Sequence, residues 1–146
     1  MIYPEYEQYK ARYNDLQNIF ASFLLEKESL FTKTLPNAIR YDKDRVQSSI
    51  DGNMLESYVI KLEDSRIDEK LDHVRQTLQD WEILLDAKER DLRKSQDKYD
   101  RIYTFKYLDG YGINKIAKIL SYSKSQIYRM LKQIDKRCDK MRQNMC

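Results

Sequence analysis

Residues 123 to 132 read SKSQIYRMLK, a run in which two apolar residues four apart, Ile127 and Leu131, interrupt side chains suited to phosphates and base edges. A helix that buries Ile127, Leu131, Ile134 and Cys138 turns Lys124, Ser125, Gln126, Tyr128, Arg129 and Lys132 outward. Arginine can bond guanine through two N–H groups, glutamine can read adenine, and serine, tyrosine and lysine can reach phosphate oxygens. Those types on one helix face point to double-stranded DNA.

The elements that would position this face can be parsed from their ends. Gly110 suits the left-handed residue that closes a helix at Leu108 or Asp109. Ile113, Ile116, Ala117 and Leu120 follow at the spacing of one buried stripe, which predicts a short helix carrying Lys115 and Lys118 on its outer side. Ser121 and Tyr122 form the turn, with Tyr122 a further candidate DNA contact, and Ser123 with Gln126 makes the reciprocal cap that opens the next helix. Ala117 is small enough for a close crossing, so the pattern predicts a helix-turn-helix whose first helix sets lysines against the backbone. Charge agrees: residues 1–110 hold 18 Lys and Arg against 22 Asp and Glu, a net −4, whereas residues 111–146 hold 9 against 2, a net +7.

Upstream, 3 Gly and 2 Pro in 146 residues leave few places to turn, and an all-α chain follows. Tyr6, Tyr9, Tyr13, Leu16, Phe20, Phe23 and Leu30 alternate in steps of three and four, with a gap at Lys27, and predict a helix over about residues 4–31. Residues 32–53, with Pro36 and Gly52, read as a linker. Helical spacing resumes with Leu55, Tyr58, Val59 and Leu62, and a second stripe holds Ile67, Leu71, Val74, Leu78, Trp81 and Leu85, with gaps at Lys88 and Ser95. The five-residue step from Leu62 to Ile67 requires a shifted face or a break near Asp64 and Ser65. A helix from about residue 54 to 108 would be roughly 80 Å long and would have to pack on the first helix, on a second copy, or on both. The expected architecture is an elongated helical hairpin or coiled-coil stalk over residues 1–94 and a helix-turn-helix module over 95–146. The stripe from Ile67 to Leu85 is the candidate homodimer seam.

Other classes lack their residues. There is no paired acid and base, no glycine-rich phosphate loop and no metal-spaced cluster, so an enzyme, a metal and a cofactor are not expected. Cys138 continues the buried stripe and reads as a core thiol; Cys138 and Cys146 make no CxxC pair, and His73 stands off the seam. The first residues resemble no leader, and the longest uncharged apolar stretch, NIFASFLL, cannot span a bilayer, which predicts a cytoplasmic protein without a membrane partner.

Tyr107 to Cys138 resembles the helix-turn-helix of sigma-factor region four, through the Ile116-Ala117 pair, Leu120, Ser123 and Ile127. It departs from that pattern at Lys115, where an acidic residue often stands, and at Ser121, where glycine is usual. With DRVQSS at 44–49 ahead of ESYVIKLED at 56–64, the chain is similar to small phage regulators of the ArpU, RinA and LtrC type. The resemblance implies a phage or prophage activator of late genes that binds promoter DNA in the host bacterial cytoplasm, with host RNA polymerase as a second partner. Two other readings fit the residues: a DNA-packaging subunit like the small terminases, and a helical inhibitor that binds host machinery.

Overall fold

The computed structural model describes residues 1–34 and 52–144. All of their regular structure is helical: α1 (Tyr3–Thr34), α2 (Gly52–Ser65), α3 (Ile67–Lys94), α4 (Lys98–Tyr103) running into a π-helical turn (Thr104–Leu108), α5 (Ile113–Leu120) and α6 (Lys124–Asn144). The expected linker is shorter at both ends, because Thr32–Thr34 belong to α1 and Gly52 and Asn53 to α2. Pro36, DRVQSS and Cys146 lie outside the described residues, as do the side chains of Leu55 and Tyr58. No described helix is long and apolar enough to cross a membrane.

The chain divides into two compact units, Met1–Asn14 with Asp80–Cys146, and Asp15–Gln79. In the second, Ile67, Leu71 and Val74 are buried, and Leu16, Phe20, Phe23 and Leu30 of α1 are half-buried. The gap at Lys27 is filled by an ion pair, with its Nζ 2.6 Å from Asp68. Lys70 and Arg75 lie over the rings of Phe23 and Phe20, so the two helices run antiparallel here. In the first unit Trp81 meets Tyr9 edge-on at 5.3 Å, and the gap at Lys88 is likewise an ion pair, 2.9 Å from Glu5. At Lys27 and Lys88, then, the interruption of the stripe marks a position where the facing helix supplies a carboxylate.

A single helix from residue 54 to 108 does not form; it is broken twice. Arg66 takes a left-handed backbone conformation, φ 51°, which absorbs the five-residue step and restarts the helix with its stripe realigned. The second break is written by side chains that compete for backbone N–H groups. Asp97 accepts from the N–H of Tyr99 at 2.9 Å and of Asp100 at 3.3 Å, and its own N–H donates to the Ser95 hydroxyl at 3.2 Å.

That break aims Asp100 into the core, where it is fully buried. Its Oδ1 accepts from the backbone N–H groups of Ile2 at 2.7 Å and Tyr3 at 3.0 Å, and its Oδ2 accepts from the Ser95 hydroxyl at 2.7 Å. Asp100 thus caps α1 from 97 residues away, satisfying donors that the first turn of a helix leaves open. Around it pack Tyr3, Tyr6, Leu92, Ile102 and Tyr103, and the same cluster takes in Ile116, Ala117, Ile127, Leu131, Ile134 and Cys138 from α5 and α6.

Candidate nucleic-acid interface

Gly110, at φ 68°, ends the π-helical turn and lets the chain double back. Tyr111 then donates its N–H to the Phe105 carbonyl at 2.7 Å, and the two rings stack at 5.8 Å with an 11° interplanar angle. Gly112, in an extended conformation, opens α5. This helix buries Ile116 and Ala117 and half-buries Ile113 and Leu120, the stripe expected from its spacing. Lys115 and Lys118 are exposed, and Lys115 Nζ sits 3.5 Å from the centre of the Tyr111 ring.

The corner between α5 and α6 is narrow. Ser121 occupies the left-handed region at φ 57°, ψ 37°, and the Tyr122 N–H donates to the Ala117 carbonyl at 3.1 Å. The Ser123 N–H donates to Gln126 Oε1 at 2.9 Å, and the Gln126 N–H donates to Ser123 Oγ at 3.2 Å, a complete reciprocal cap. An open groove of about 460 Å³ lies at this corner, lined by Asn114, Ala117, Lys118, Tyr122, Ser123 and Lys124.

α6 has two opposed faces. Ile127, Leu131, Ile134 and Cys138 are buried; Lys124, Ser125, Gln126, Tyr128, Arg129 and Lys132 are exposed, while Tyr122 is half-buried at the turn. Burial raises the Cys138 thiol to about 11, aided by the nearby Glu7 carboxylate, so it stays protonated and packs as an apolar group. Among the described residues Lys118, Lys124, Arg129 and Lys132 have no ion-pair partner. The arrangement can present unneutralised cations, a hydroxyl and a phenol to a polyanion, on a helix held rigidly from behind.

The cap bears on the expected role of Gln126 as a base reader. Gln126 Oε1 is engaged in the cap, so a two-point contact with adenine, which needs that oxygen as well as the NH₂ group, would have to break it. Arg129 carries no such commitment. Tyr111, which props Lys115, and Asn114 in the corner groove had no signal in the apolar spacing, because both lie off the buried stripe.

Compared with known proteins, the chain matches no family model, no curated protein and no solved structure. What the exposed face of α6 could bind is therefore read from its geometry.

The candidate dimer seam is largely used inside one chain. Ile67, Leu71 and Val74 are buried, Leu78 is half-buried, Trp81 packs on Tyr9, and Leu85 packs against the core around Asp100. Leu78, Trp81 and Leu85 are half-buried, and beside them on α3 Ile83 and Leu84 are exposed.

Proposed function

We propose that the chain binds duplex DNA through α5 and α6 acting as a helix-turn-helix, without a cofactor, and that it is a transcription regulator of the phage type its sequence resembles. The observation that carries this reading is the outer face of the first turns of α6. Lys124, Arg129 and Lys132 are exposed and unpaired there, alongside Ser125 and Tyr128, while the inner face is sealed into the core. Arg129 is the base reader, as an uncommitted guanidinium with a fork of donors that fits guanine. Lys118, Lys124 and Tyr122 line the corner groove and hold a phosphate, and Lys115, propped on Tyr111, meets the backbone beside it.

Selection of binding sites from a random duplex library, followed by titration of the best site at two salt concentrations, tests the reading. An enriched motif whose preference disappears in Arg129→Ala supports sequence-specific regulation. Tight, motif-free binding would transfer the function to DNA packaging, and absence of duplex binding would leave the surface to a protein partner.

A further inference from the structure

Beyond Lys132 the outer face of α6 continues. Arg129, Lys132, Lys136 and Lys140 follow at steps of three, four and four, all exposed, on the side of the helix opposite Ile127, Leu131, Ile134 and Cys138. None of the four forms an ion pair among the described residues.

Two ordinary explanations of such a stripe fail here. Lysines on a helix are commonly neutralised by a carboxylate three or four residues away, and Asp135 and Asp139 stand three residues past Lys132 and Lys136. Both carboxylates are engaged elsewhere: Asp135 accepts from the Tyr107 hydroxyl at 2.5 Å, and Asp139 lies 3.8 Å from Arg142. The helix dipole favours cations in the last turn, but α6 runs to Asn144, so Lys132 and Lys136 lie well ahead of it and Lys140 alone of the stripe adjoins it. The cations are left bare on a helix whose acidic residues are tied to other partners on its flank.

We propose that Lys136 and Lys140 grip the DNA backbone on the strand beyond the one met by α5, so that α6 crosses the major groove from wall to wall. The inference rests on the DNA-binding reading above. From Arg129, Lys136 is about 10 Å and Lys140 about 16 Å along the helix axis, at 1.5 Å per residue. The major groove is about 12 Å wide. With Arg129 at the base edges, the two lysines have passed the groove floor and meet the far sugar-phosphate wall. Contacts there fix position and carry no sequence information.

The test compares the wild-type chain with Lys136→Gln/Lys140→Gln on the selected duplex over a salt series, with helical circular dichroism as the folding control. Lys61→Gln/Lys94→Gln, which removes the same charge from exposed sites on α2 and α3, controls for general attraction. Losing two phosphate contacts lowers the slope of log affinity against log salt by about 2, leaves the preferred motif unchanged, and is not matched by the control pair. An unchanged slope, or an equal drop in the control pair, overturns the inference while the DNA-binding reading stands. If the wild-type chain binds no duplex, the reading itself fails and the inference with it.

Discussion

Two cations of α3, Lys88 and Arg93, and the outer stripe of α6 are differently employed. Lys88 is held by Glu5, and Arg93 reaches both Glu89 and Asp109 at 2.8 Å, so each closes a contact inside the molecule. Arg129, Lys132, Lys136 and Lys140 form no ion pair among the described residues. Exposure alone does not separate the two helices, since Arg93 is 44% exposed yet doubly paired. Partner availability does separate Lys88 and Arg93 from the stripe of α6, although Lys70, Arg90 and Lys94 of α3 also form no ion pair among the described residues and Arg142 of α6 lies near both Glu7 and Asp139.

The inner face of α6 offers the largest way to break that contrast. Ile134→Ala removes a fully buried side chain and should cost about 2–4 kcal/mol in chemical denaturation, taking DNA binding with it as the helix loses its seat. Asp100→Ala comes next: three donors lose their acceptor, and a loss of about 2–3 kcal/mol is expected in the same measurement. Neither substitution touches the outer face, so both test the platform rather than the contact.

The sharper comparison exchanges the two kinds of arginine. Arg129→Ala should leave the denaturation midpoint nearly unchanged and weaken the selected site by about 1–3 kcal/mol in a binding titration. Arg93→Ala should do the reverse, costing about 0.5–1 kcal/mol of stability for a solvent-screened pair and leaving DNA affinity intact. If both variants behave alike, partner availability does not separate the faces.

A smaller effect is expected at the turn. Ser121 adopts a left-handed conformation that penalises a Cβ, so Ser121→Gly should stabilise the fold by up to about 1 kcal/mol without altering the DNA motif. Arg66, the other non-glycine residue with positive φ among those described, predicts the same sign for Arg66→Gly.

The pair on α3 carries the pH prediction. The Lys88 ammonium, through its hydrogen bond, holds Glu5 below the ordinary carboxylate range. A carboxylate whose folded pKa is depressed contributes stability above its unfolded value, about 4.3, and loses it as pH falls through the folded value. The stability difference between wild type and Lys88→Met should therefore be steady near neutrality and vanish in strong acid. The α6 stripe, with no carboxylate partner, should show no such dependence when Lys132 is replaced in the same way.

Much of this architecture was legible in the order of the residues. The stripes over Tyr6 to Leu30 and Ile113 to Cys138 are period signals, and the cap at Ser123 and Gln126 is local chemistry, so each could be read within a few residues. Gaps at Lys27 and Lys88 were visible as gaps, but their partners Asp68 and Glu5 are 41 and 83 residues distant and left no local mark. The gap at Ser95 was visible too, but the apolar spacing did not tell a helix break there from an interruption such as Lys88, because the side chains that stop the helix, Ser95 and Asp97, act by bonding backbone N–H groups. Lys136 and Lys140 were written in the same spacing as Arg129 and Lys132; what the sequence lacked was the knowledge that Asp135 and Asp139 are occupied.

The cap that Asp100 places on α1 also has a consequence for how the molecule is made. As the chain leaves the ribosome, Ile2 and Tyr3 must wait for nearly a hundred further residues before their acceptor is synthesised, and the core that seats α6 cannot close until then. A truncated gene product starting at Asp80 would carry every proposed DNA contact yet leave a buried carboxylate without its backbone donors and omit Tyr3 and Tyr6 from the core. The proposed reading head is thus not a detachable cassette: its foundation includes Ile2, Tyr3 and Tyr6, far ahead of it in the chain.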